Sequence, residues 1–464
     1  MKNHSSHSLN RRQFIHRTAA GVALFNILPG HAFGAEKLGA NDKVNIAGIG
    51  IGSRGGADIG EVAGLGHNMV ALCDVDEKYA AKEFQKYPGA KQFKDYRVML
   101  DKMGKEIDAV VIGTPDHTHA LIAMEAMRRG KHVYCEKPLA HSVEEVRKLM
   151  AAARKYKVVN QLGNQGHSSN TIRRTCEWIW AGAIGNVHTV HAGCDAFKNV
   201  YCQIPNLPKL SEHHDVPKTL DYDLWVGPVE FRPYSPLWVP WNWRGWMHFG
   251  GGTIGDWICH VVDPSWWALG LEAPTSVVAE VTDFDPAKHG ETYPPGAKIT
   301  FQFPASKTRS AFGAGPIKLV WHDGNTTIPR PADFPADEKV PGTGAIIFGD
   351  KGMIVHGSHG AASCHLLPEG LMEAHSGENA PAEKIPRIKN QSHALDWLDA
   401  IRAARAAGSS FDYGGPLTQV ALLGLIALRY PGQTLQWDDK GMRFTNHREA
   451  SAHLRSQYRK GWTV

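Results

Sequence analysis

The fold is decided by the stretch Val44-Asn-Ile-Ala-Gly-Ile-Gly-Ile-Gly-Ser-Arg-Gly-Gly56. Its first six residues are mostly apolar and are typical of a buried β-strand. They run into the pattern Gly50-x-Gly52-x-x-Gly55, a helical pattern follows, and a second apolar run ends at Asp74. A glycine triplet between a strand and a helix, with an acid about twenty residues further on, predicts a dinucleotide-binding loop rather than an ordinary glycine-rich turn.

Each part of this loop has a physical task in binding a dinucleotide. The first glycine makes the tight turn, the second lets the backbone approach a pyrophosphate, and the third lets strand and helix pack closely. We therefore predict cofactor contacts at Gly50, Gly52, Ser53 and Arg54. Asp74 is predicted to accept the adenosine ribose hydroxyls, which favours NAD over NADP because no arginine follows it directly.

The length of the chain, 464 residues, suits two domains. From 42 to about 161, short apolar runs alternate with helical patterns, which predicts an α/β domain with a doubly wound parallel sheet of the Rossmann type. Residues 162–464 lose this alternation and predict an α+β domain with a large, mostly antiparallel sheet. Within that domain, a long irregular segment at about 198–252 is rich in proline, tryptophan and tyrosine, and we interpret it as a functional insertion.

Residues 1–35 predict an export signal rather than part of the fold. Asn10-Arg-Arg-Gln-Phe-Ile15 is a twin-arginine pattern, and a short apolar segment and small residues up to Ala35 follow it. The segment holds four basic side chains and no acid, so its removal lowers the formal net charge from +5 to +1. Nucleic acid and membrane surfaces are therefore not expected partners, and the expected location is the periplasm or an equivalent exported space. A plain basic amphipathic tail is the alternative interpretation.

Metal and disulfide chemistry are not expected. The seven cysteines are scattered and form no CxxC pair, although one bridge between Cys194 and Cys202 stays open. The 25 histidines include one local cluster, His213-His-Asp215, but no HExxH motif and no spaced Cys/His set that would hold a metal.

The motif Gly251-Gly-Thr-Ile-Gly-Asp-Trp-Ile-Cys-His-Val-Val-Asp263 carries candidate catalytic chemistry. In a helix that begins at about 254, Asp256 and His260 lie one turn apart on one face. A carboxylate beside an imidazole is a sound general base, because the acid orients the ring and raises its basicity. The alternatives are a helix cap at Asp256 and a buried structural histidine at His260.

Other strand ends of the predicted parallel sheet also carry candidate residues. Lys137 follows a buried strand and is predicted to hold a substrate hydroxyl and stabilise an alkoxide, although a surface lysine in a turn is the alternative. Thr114 and Pro115 are predicted to flank the nicotinamide-side phosphate and ribose. His117 and His119 either touch the cofactor or cap the following helix.

The tryptophan-rich stretch Trp238-Val-Pro-Trp-Asn-Trp-Arg-Gly-Trp246 suits a carbohydrate platform. Aromatic rings cover the apolar face of a sugar while polar side chains bind its hydroxyls. Trp241, Trp243 and Arg244 are therefore candidate substrate-binding residues. A hydrophobic core of the second domain, or an oligomer interface, is an equally good interpretation.

In combination, these motifs resemble the Gfo/Idh/MocA family of NAD(P)-dependent sugar and inositol oxidoreductases. The matching motifs, in the family's order along both predicted domains, are Gly50-Ile-Gly-Ser-Arg-Gly55, Thr114-Pro-Asp-His-Thr-His119, Glu136-Lys137-Pro138 and Gly251-Gly-x-x-x-Asp256-x-x-x-His260-x-x-Asp263. The resemblance implies that Lys137, Asp256 and His260 bind the substrate and serve hydride transfer. It also implies cofactor contacts for Glu136 and Lys137, and a position near the nicotinamide for Asn164.

The resemblance further implies an exported enzyme that keeps NAD bound and moves hydride between a sugar or polyol hydroxyl and the nicotinamide, with His260 transferring the proton. One alternative is an NAD-dependent glycoside hydrolase that oxidises its substrate transiently, eliminates the aglycone and returns the hydride. Another is a non-catalytic sugar-binding protein on the same fold, which would need neither Lys137 nor His260. Assembly into a homo-oligomer through the sheet of the second domain is also implied.

Overall fold

The computed structural model describes residues 38–39, 42–309 and 311–464. The predicted export signal at 1–35 lies outside the described residues. Within the described part of the chain, we find no helix with the length and apolar character that a membrane span requires.

The first sheet has six strands, all parallel. They are β1 (Asn45–Ile49), β2 (Asn68–Cys73), β3 (Lys91–Phe93), β4 (Ala109–Ile112), β5 (His132–Glu136) and β6 (Asn160–Gly163). Their order in the sheet is β3-β2-β1-β4-β5-β6. The order reverses between β1 and β4, and ligands bind doubly wound sheets in the crevice at this point, beyond the carboxyl ends of the strands.

Helices cover both faces of this sheet. They are α1 (Arg54–Gly64), α2 (Glu77–Lys86), α3 (Tyr96–Met103), α4 (Asp116–Arg128) and α5 (Val143–Tyr156). The central strand β4 is buried along its whole length, which explains its continuous apolar sequence. The predicted doubly wound parallel sheet is confirmed.

The second sheet has nine strands and is mostly antiparallel, as predicted. The strands are β7 (Val187–Cys194), β8 (Ser276–Thr282), β9 (Gly296–Phe303), β10 (Ile317–Gly324), β11 (Gly344–Gly349), β12 (Met353–Gly357), β13 (His365–Leu367), β14 (Leu435–Asp438) and β15 (Arg443–Phe444). Their order is β13-β12-β11-β7-β10-β9-β8-β14-β15, and β7 and β10 pair in parallel.

The remaining helices lie before, between and after these strands. They are α6 (Asn170–Trp180), α7 (Lys198–Tyr201), α8 (Tyr222–Val226), α9 (Gly252–Val261), α10 (Asp263–Leu269), α11 (Pro286–His289), α12 (Ser358–Ala361), α13 (Glu369–Ala374), α14 (His393–Arg402), α15 (Phe411–Ala427) and α16 (Arg448–Ala452). Short 3-10 turns occur at Gln165–Ser168, Ile204–Ser211, Asn242–Gly245, Lys307–Arg309, Gly377–Asn379 and Lys389–Gln391.

Two late helices tie the second half of the chain to the first. Trp397 and Leu398 of α14 join one buried cluster with Ile46 of β1 and Val111 of β4. Helix α15 packs against α5 and against α9. The sequence boundary at 161/162 therefore does not separate two independent cores, because residues from the far end of the chain complete the packing of the first sheet.

The irregular segment at 198–252 has a small core of its own. Trp225, Trp238, Trp243 and Trp246 pack there with Phe249. This arrangement agrees with the core interpretation of the tryptophan-rich stretch for most of its rings. The seven cysteines are all free, Cys194 and Cys202 included.

Candidate active site

A cleft opens at the carboxyl ends of the first sheet. One wall belongs to the Rossmann domain, and the other is formed by the segment that includes α8 and the start of α9. The predicted site residues that line this cleft are Gly50, Gly52, Ser53, Arg54, Asp74, Thr114, Pro115, Glu136, Lys137, Trp241, Trp243, Arg244 and Asp256.

The glycine loop fits a pyrophosphate. Gly50 has a φ of +71°, and a Cβ there would lie 2.6 Å from the Thr114 nitrogen, while a Cβ at Gly55 would lie 1.9 Å from the Gly50 oxygen. Helix α1 begins directly after this turn, its first turn holds no acid, and the Ser53 side chain forms no cap hydrogen bond. The amides at the start of α1 are thus available to an anionic ligand.

Asp74 organises the same loop at the end of β2. Its carboxylate accepts hydrogen bonds from the backbone N–H groups of Ile51 (2.9 Å), Asp76 (3.0 Å) and Gly52 (3.3 Å). Burial raises its pKa to about 6, and the three backbone hydrogen bonds oppose this rise. Asp74 therefore shapes the glycine loop and also lines the cleft where a ribose would bind.

Arg54 and Glu136 are bound to each other across the cleft floor. Arg54 Nε lies 3.2 Å from Glu136 Oε1, and the guanidinium also pairs with the buried Asp58. Burial opposes the charge of Arg54, but Asp58 and Glu136 raise its pKa above the ordinary value. Gln165 donates a further hydrogen bond to Glu136. This network fixes the strand end from which Lys137 projects.

The decisive contact joins the two domains. Lys137, at the end of β5, forms an ion pair with Asp256 of α9, and their side chains are only 14% and 15% exposed. Burial disfavours the charged form of Lys137, yet Asp256 and Glu136 raise its pKa above the ordinary value. Lys137 is therefore an ammonium group at neutral pH, and it faces a cleft that is shaped for a dinucleotide.

Asp256 has two further partners. Tyr201 donates its hydroxyl hydrogen to Oδ2, and Arg244 Nε lies 3.4 Å from the same oxygen. Burial alone would raise the pKa of Asp256, but Lys137 and Arg244, with the hydrogen bonds from Lys137 and Tyr201, lower it to about 2. The carboxylate is therefore a fixed negative charge and a weak base at neutral pH.

The predicted hydrogen-bonded pair of Asp256 and His260 is not formed. Both residues lie on α9, but the carboxylate is bound by Lys137 and Tyr201, and His260 Nδ1 is buried without a hydrogen-bond partner among the described residues. The His260 ring instead stacks on His359, with centroids 4.1 Å apart. Burial, followed by the neighbouring His359 and Lys137, lowers the pKa of His260 far below its usual range, so the imidazole is neutral.

His117 and His119 do not project into the cleft, contrary to the interpretation in which they touch the cofactor. His117 is bound to the backbone oxygens of Trp225 (2.9 Å) and Phe249 (3.2 Å). The two ring nitrogens of His119 each lie 2.8 Å from a backbone oxygen, one of Pro138 and one of Thr114. Both side chains are buried, and these contacts give their ring nitrogens polar partners. The two histidines therefore hold the cleft walls in place.

Asn164 lies behind the cleft rather than in its wall. It is fully buried, donates to Asp263 over 3.1 Å and accepts from Ser409 over 2.6 Å. Asp263 also binds His167 at 3.1 Å and the hydroxyl of Tyr413. This buried cluster anchors Asp263, the first residue of α10. The residue before it, Val262, is the C-cap of α9.

Arg244 is held between two tryptophan rings of the insertion. Its guanidinium carbon lies 4.0 Å from the Trp241 ring centroid and 4.2 Å from that of Trp243. Trp243 is buried, whereas Trp241 is 37% exposed. Trp241 thus remains a candidate sugar platform, while Trp243 mainly fixes the arginine that faces Asp256.

Three residues of the site were missed from the sequence. Tyr201 and His359 lie far from α9 along the chain, and no local pattern indicates either of them. Asp116 stands inside the quoted Thr114–His119 motif, so a signal for it existed. It is buried, lines the cleft and accepts a hydrogen bond from Gly251 N over 2.9 Å.

The raised pKa of Asp116 can be tested through the dependence of protein stability on pH. Burial, reinforced by Asp256, raises its pKa to about 7. The unfolded chain releases this proton near pH 4 and the folded chain near pH 7, so this group lowers stability as pH rises between these values. We expect Asp116→Asn, relative to the wild type, to gain about 2–4 kcal/mol of unfolding free energy from pH 4 to 7 and then to level off.

Urea denaturation at several pH values measures this difference. Asp101→Asn, at a side chain that is 65% exposed, serves as the control for the effect of an Asp-to-Asn change at the surface. A difference between Asp116→Asn and the wild type that does not change with pH would show that Asp116 does not titrate as stated.

The model of the oxidoreductase family's NAD-binding Rossmann fold matches residues 43–164, and that of the family's C-terminal alpha/beta domain matches residues 190–338. Together the matches span more than half of the chain. The chain belongs to the Gfo/Idh/MocA oxidoreductase family.

Individual relatives of this Gfo/Idh/MocA protein match over shorter stretches. Levoglucosan dehydrogenase of Pseudarthrobacter phenanthrenivorans is 26% identical over 200 residues, which is 43% of this chain and 42% of the relative. Inositol 2-dehydrogenase of Rubrobacter xylanophilus is 33% identical over 116 residues, 25% of this chain and 33% of the relative. The matches thus span less than half the length of these relatives.

A solved structure shows the likeness of the whole fold. The WlbA dehydrogenase of Bordetella pertussis, in complex with NADH and UDP-GlcNAcA, has a TM-score of 0.58 at 17% identity. The likeness covers 85% of this chain and 99% of that one.

Among the described residues, no group of three or more histidine, cysteine or acidic side chains is arranged to hold a metal ion.

Proposed function

We propose that this protein is an NAD-dependent oxidoreductase that transfers hydride at a hydroxyl group of a sugar or polyol. The observation that carries the proposal is the Lys137–Asp256 ion pair, which two domains bring together at one end of the dinucleotide cleft. Family membership and the sugar and inositol dehydrogenases among its relatives support the same class of substrate.

The cleft suits NAD at several points. The glycine loop and the open start of α1 would bind the pyrophosphate, and Asp74 would bind the adenosine ribose. The first arginine after Asp74 along the chain is Arg97; it is not part of the cleft lining, and its guanidinium is bound at 2.7 and 3.1 Å by Asp95. Since Arg97 is occupied, we infer a preference for NAD over NADP.

Lys137 would act on the reacting oxygen. NAD, when bound, supplies the hydride acceptor. The Lys137 ammonium donates a hydrogen bond to the substrate hydroxyl and stabilises the negative charge that develops on its oxygen as the C–H bond breaks. Asp256 keeps the ammonium charged and aimed, because its own pKa of about 2 prevents it from taking the proton.

The hydroxyl proton would pass to His260. Its imidazole is neutral, so one ring nitrogen can accept a proton, and because burial lowers the pKa of the ring, that proton is passed on rather than kept. His359, which stacks on this ring and is exposed, would contact the substrate or the solvent that exchanges the proton. The sugar's apolar face would lie against Trp241.

One experiment distinguishes this proposal from the two alternatives. Purified protein is incubated with a panel of sugars, polyols and aryl glycosides, and NADH absorbance and aglycone release are followed together. Steady accumulation of NADH supports the dehydrogenase, whereas aglycone release without net NADH supports a glycosidase. Sugar binding without either product, unchanged in Lys137→Ala and His260→Ala, supports a non-catalytic sugar-binding protein and contradicts the proposal.

We also propose that the protein is exported by the twin-arginine route. The support is the Asn10–Ile15 motif and the apolar segment after it. Replacing both Arg11 and Arg12 with lysine is expected to leave the full-length protein in the cytoplasm, as cell fractionation and immunoblotting would show. Arg17→Lys, outside the motif, is the matched control, and unchanged export of the double variant would contradict this proposal.

Assembly through the second sheet is a further part of the proposal. Its support is the nine-stranded sheet itself, an element large enough to meet a second copy. Light scattering after size-exclusion chromatography would give the mass, and a monomer at micromolar concentration would contradict this part alone.

A further inference from the structure

The last ten residues of the chain return to the cofactor cleft. Trp462 is half-buried and forms part of the cleft wall. It shares that wall with Asp74 and Tyr79, and with residues 94–96 at the end of β3. A ring at this place is unexplained by the proposed chemistry, because Lys137 and Asp256 lie at the other end of the cleft.

The segment is held by specific contacts rather than loosely laid on the surface. Tyr458 donates its hydroxyl hydrogen to Glu145 of α5 over 2.6 Å. Arg459 donates to the Asp223 carboxylate over 2.6 Å and to the backbone oxygen of Gly227. The backbone N–H of Arg459 also donates to Pro228 over 2.9 Å. These bonds connect the segment to α5 of the Rossmann domain and to α8 and the residues that follow it.

The Trp462 ring is fixed by two arginines. The guanidinium carbon of Arg97 lies 4.6 Å from the ring centroid, and that of Arg459 lies 5.5 Å away. Arg97 is itself bound by Asp95 at 2.7 and 3.1 Å, so it is a rigid support. A tryptophan held in this way is prepared to stack on a planar ligand.

The position in the sheet identifies which part of a dinucleotide would lie there. Asp74 follows β2, and Lys137 follows β5. In the sheet, β1 and β4 lie between these two strands, so three strand spacings separate β2 from β5. At about 4.8 Å per spacing the two ends are about 14 Å apart. The end near Asp74 binds the adenosine ribose in this type of sheet, so Trp462 lies where the adenine ring would be.

We propose that Trp462 covers the adenine of the bound dinucleotide and that residues 458–464 complete the adenosine subsite. This inference rests on the proposed function, in which the cleft binds NAD.

Titration of cofactor-free protein with NADH, followed by fluorescence and calorimetry, tests the proposal. Base stacking on an aromatic ring accounts for a large share of such binding, so Trp462→Ala should weaken NADH binding about tenfold or more. ADP-ribose should lose the same factor, while nicotinamide mononucleotide should bind unchanged. Trp462→Phe should restore part of the affinity, because it keeps a ring.

The control is Arg455→Ala, in the same segment but directed to Glu144 and away from the cleft. It should bind all three ligands as the wild type does, and melting curves of every variant establish that the fold is kept. Wild-type affinity of Trp462→Ala for NADH and ADP-ribose would overturn the subsite. Equal weakening for nicotinamide mononucleotide would do so too, because it would indicate a general disturbance. If the wild type binds neither NADH nor NADPH, the proposed function itself fails.

Discussion

Lys137→Met is expected to reduce kcat for oxidation of the best sugar about 100- to 1000-fold while changing NADH affinity far less. The substitution keeps a long apolar stem but removes the ammonium that would stabilise the developing alkoxide, and removing one such group typically costs this much. Asp256 keeps Arg244 at 3.4 Å and Tyr201, so its charge is not left unpaired. Steady-state kinetics with a fluorescence titration of NADH separates the two effects.

Lys148→Met is the matched control for this variant. Lys148 lies on α5 with a side chain that is 41% exposed, and it pairs with Glu144 one helical turn away. Its loss should leave kcat and NADH affinity at wild-type values. If Lys137→Met kept more than about a tenth of the wild-type kcat, Lys137 would not be the group that polarises the substrate.

Gly55→Ala is expected to abolish measurable NADH binding and to destabilise the protein by about 2 kcal/mol or more. A Cβ at this position would lie 1.9 Å from the backbone oxygen of Gly50 and 3.3 Å from the Cα of Gly113. Neither is a flexible side chain, so helix α1 must move away from the strands. The amides at its start would then leave the pyrophosphate position.

Gly64→Ala in the same helix is the control for this change. Nothing lies within 4 Å of a Cβ at Gly64, so the substitution should be neutral or slightly stabilising. Equilibrium denaturation and NADH titration of both variants make the comparison. Wild-type NADH affinity in Gly55→Ala would show that close packing of the loop is not needed for cofactor binding.

Much of the fold follows from local patterns. The runs that form β1, β2, β4 and β5 are apolar because both faces of a parallel sheet are covered, and the helices between them show their own period. The short β3, Lys91–Phe93, was not predicted, because three residues with two exposed side chains carry no such pattern. The packing of α14 on the first sheet could not be predicted either, since it joins residues more than 220 positions apart.

The candidate site could be predicted only as separate motifs. The residue types in Glu136–Pro138 and in α9 point to Lys137, Asp256 and His260, and the structure places them near one another. It also shows which of them touch: Lys137 binds Asp256, while His260 stacks on His359. Helical spacing predicted Asp256 and His260 on one face of α9. The carboxylate binds Lys137 and Tyr201 instead, because a fixed cation and a hydroxyl donor compete for it more strongly than the buried neutral imidazole does.

The roles of the two histidines in the Thr114–His119 motif could not be predicted from the sequence either. Their spacing is compatible with a cofactor contact and with a structural role, and only their partners decide between the two. Four backbone oxygens, of Thr114, Pro138, Trp225 and Phe249, surround the two rings. Three of these oxygens come from outside the motif, and a buried oxygen without a partner would cost free energy.

The sequence by itself determined the glycine loop, the doubly wound sheet and the identity of Lys137, because each depends on residues that are neighbours along the chain. The tertiary structure alone decided that Lys137 meets Asp256, that Tyr201 and Arg244 hold the same carboxylate, and that Trp462 returns to the cleft. The physical reason is that an ion pair or a ring contact between distant residues leaves no periodicity in the sequence. Such contacts exist only once the second domain has packed over the first.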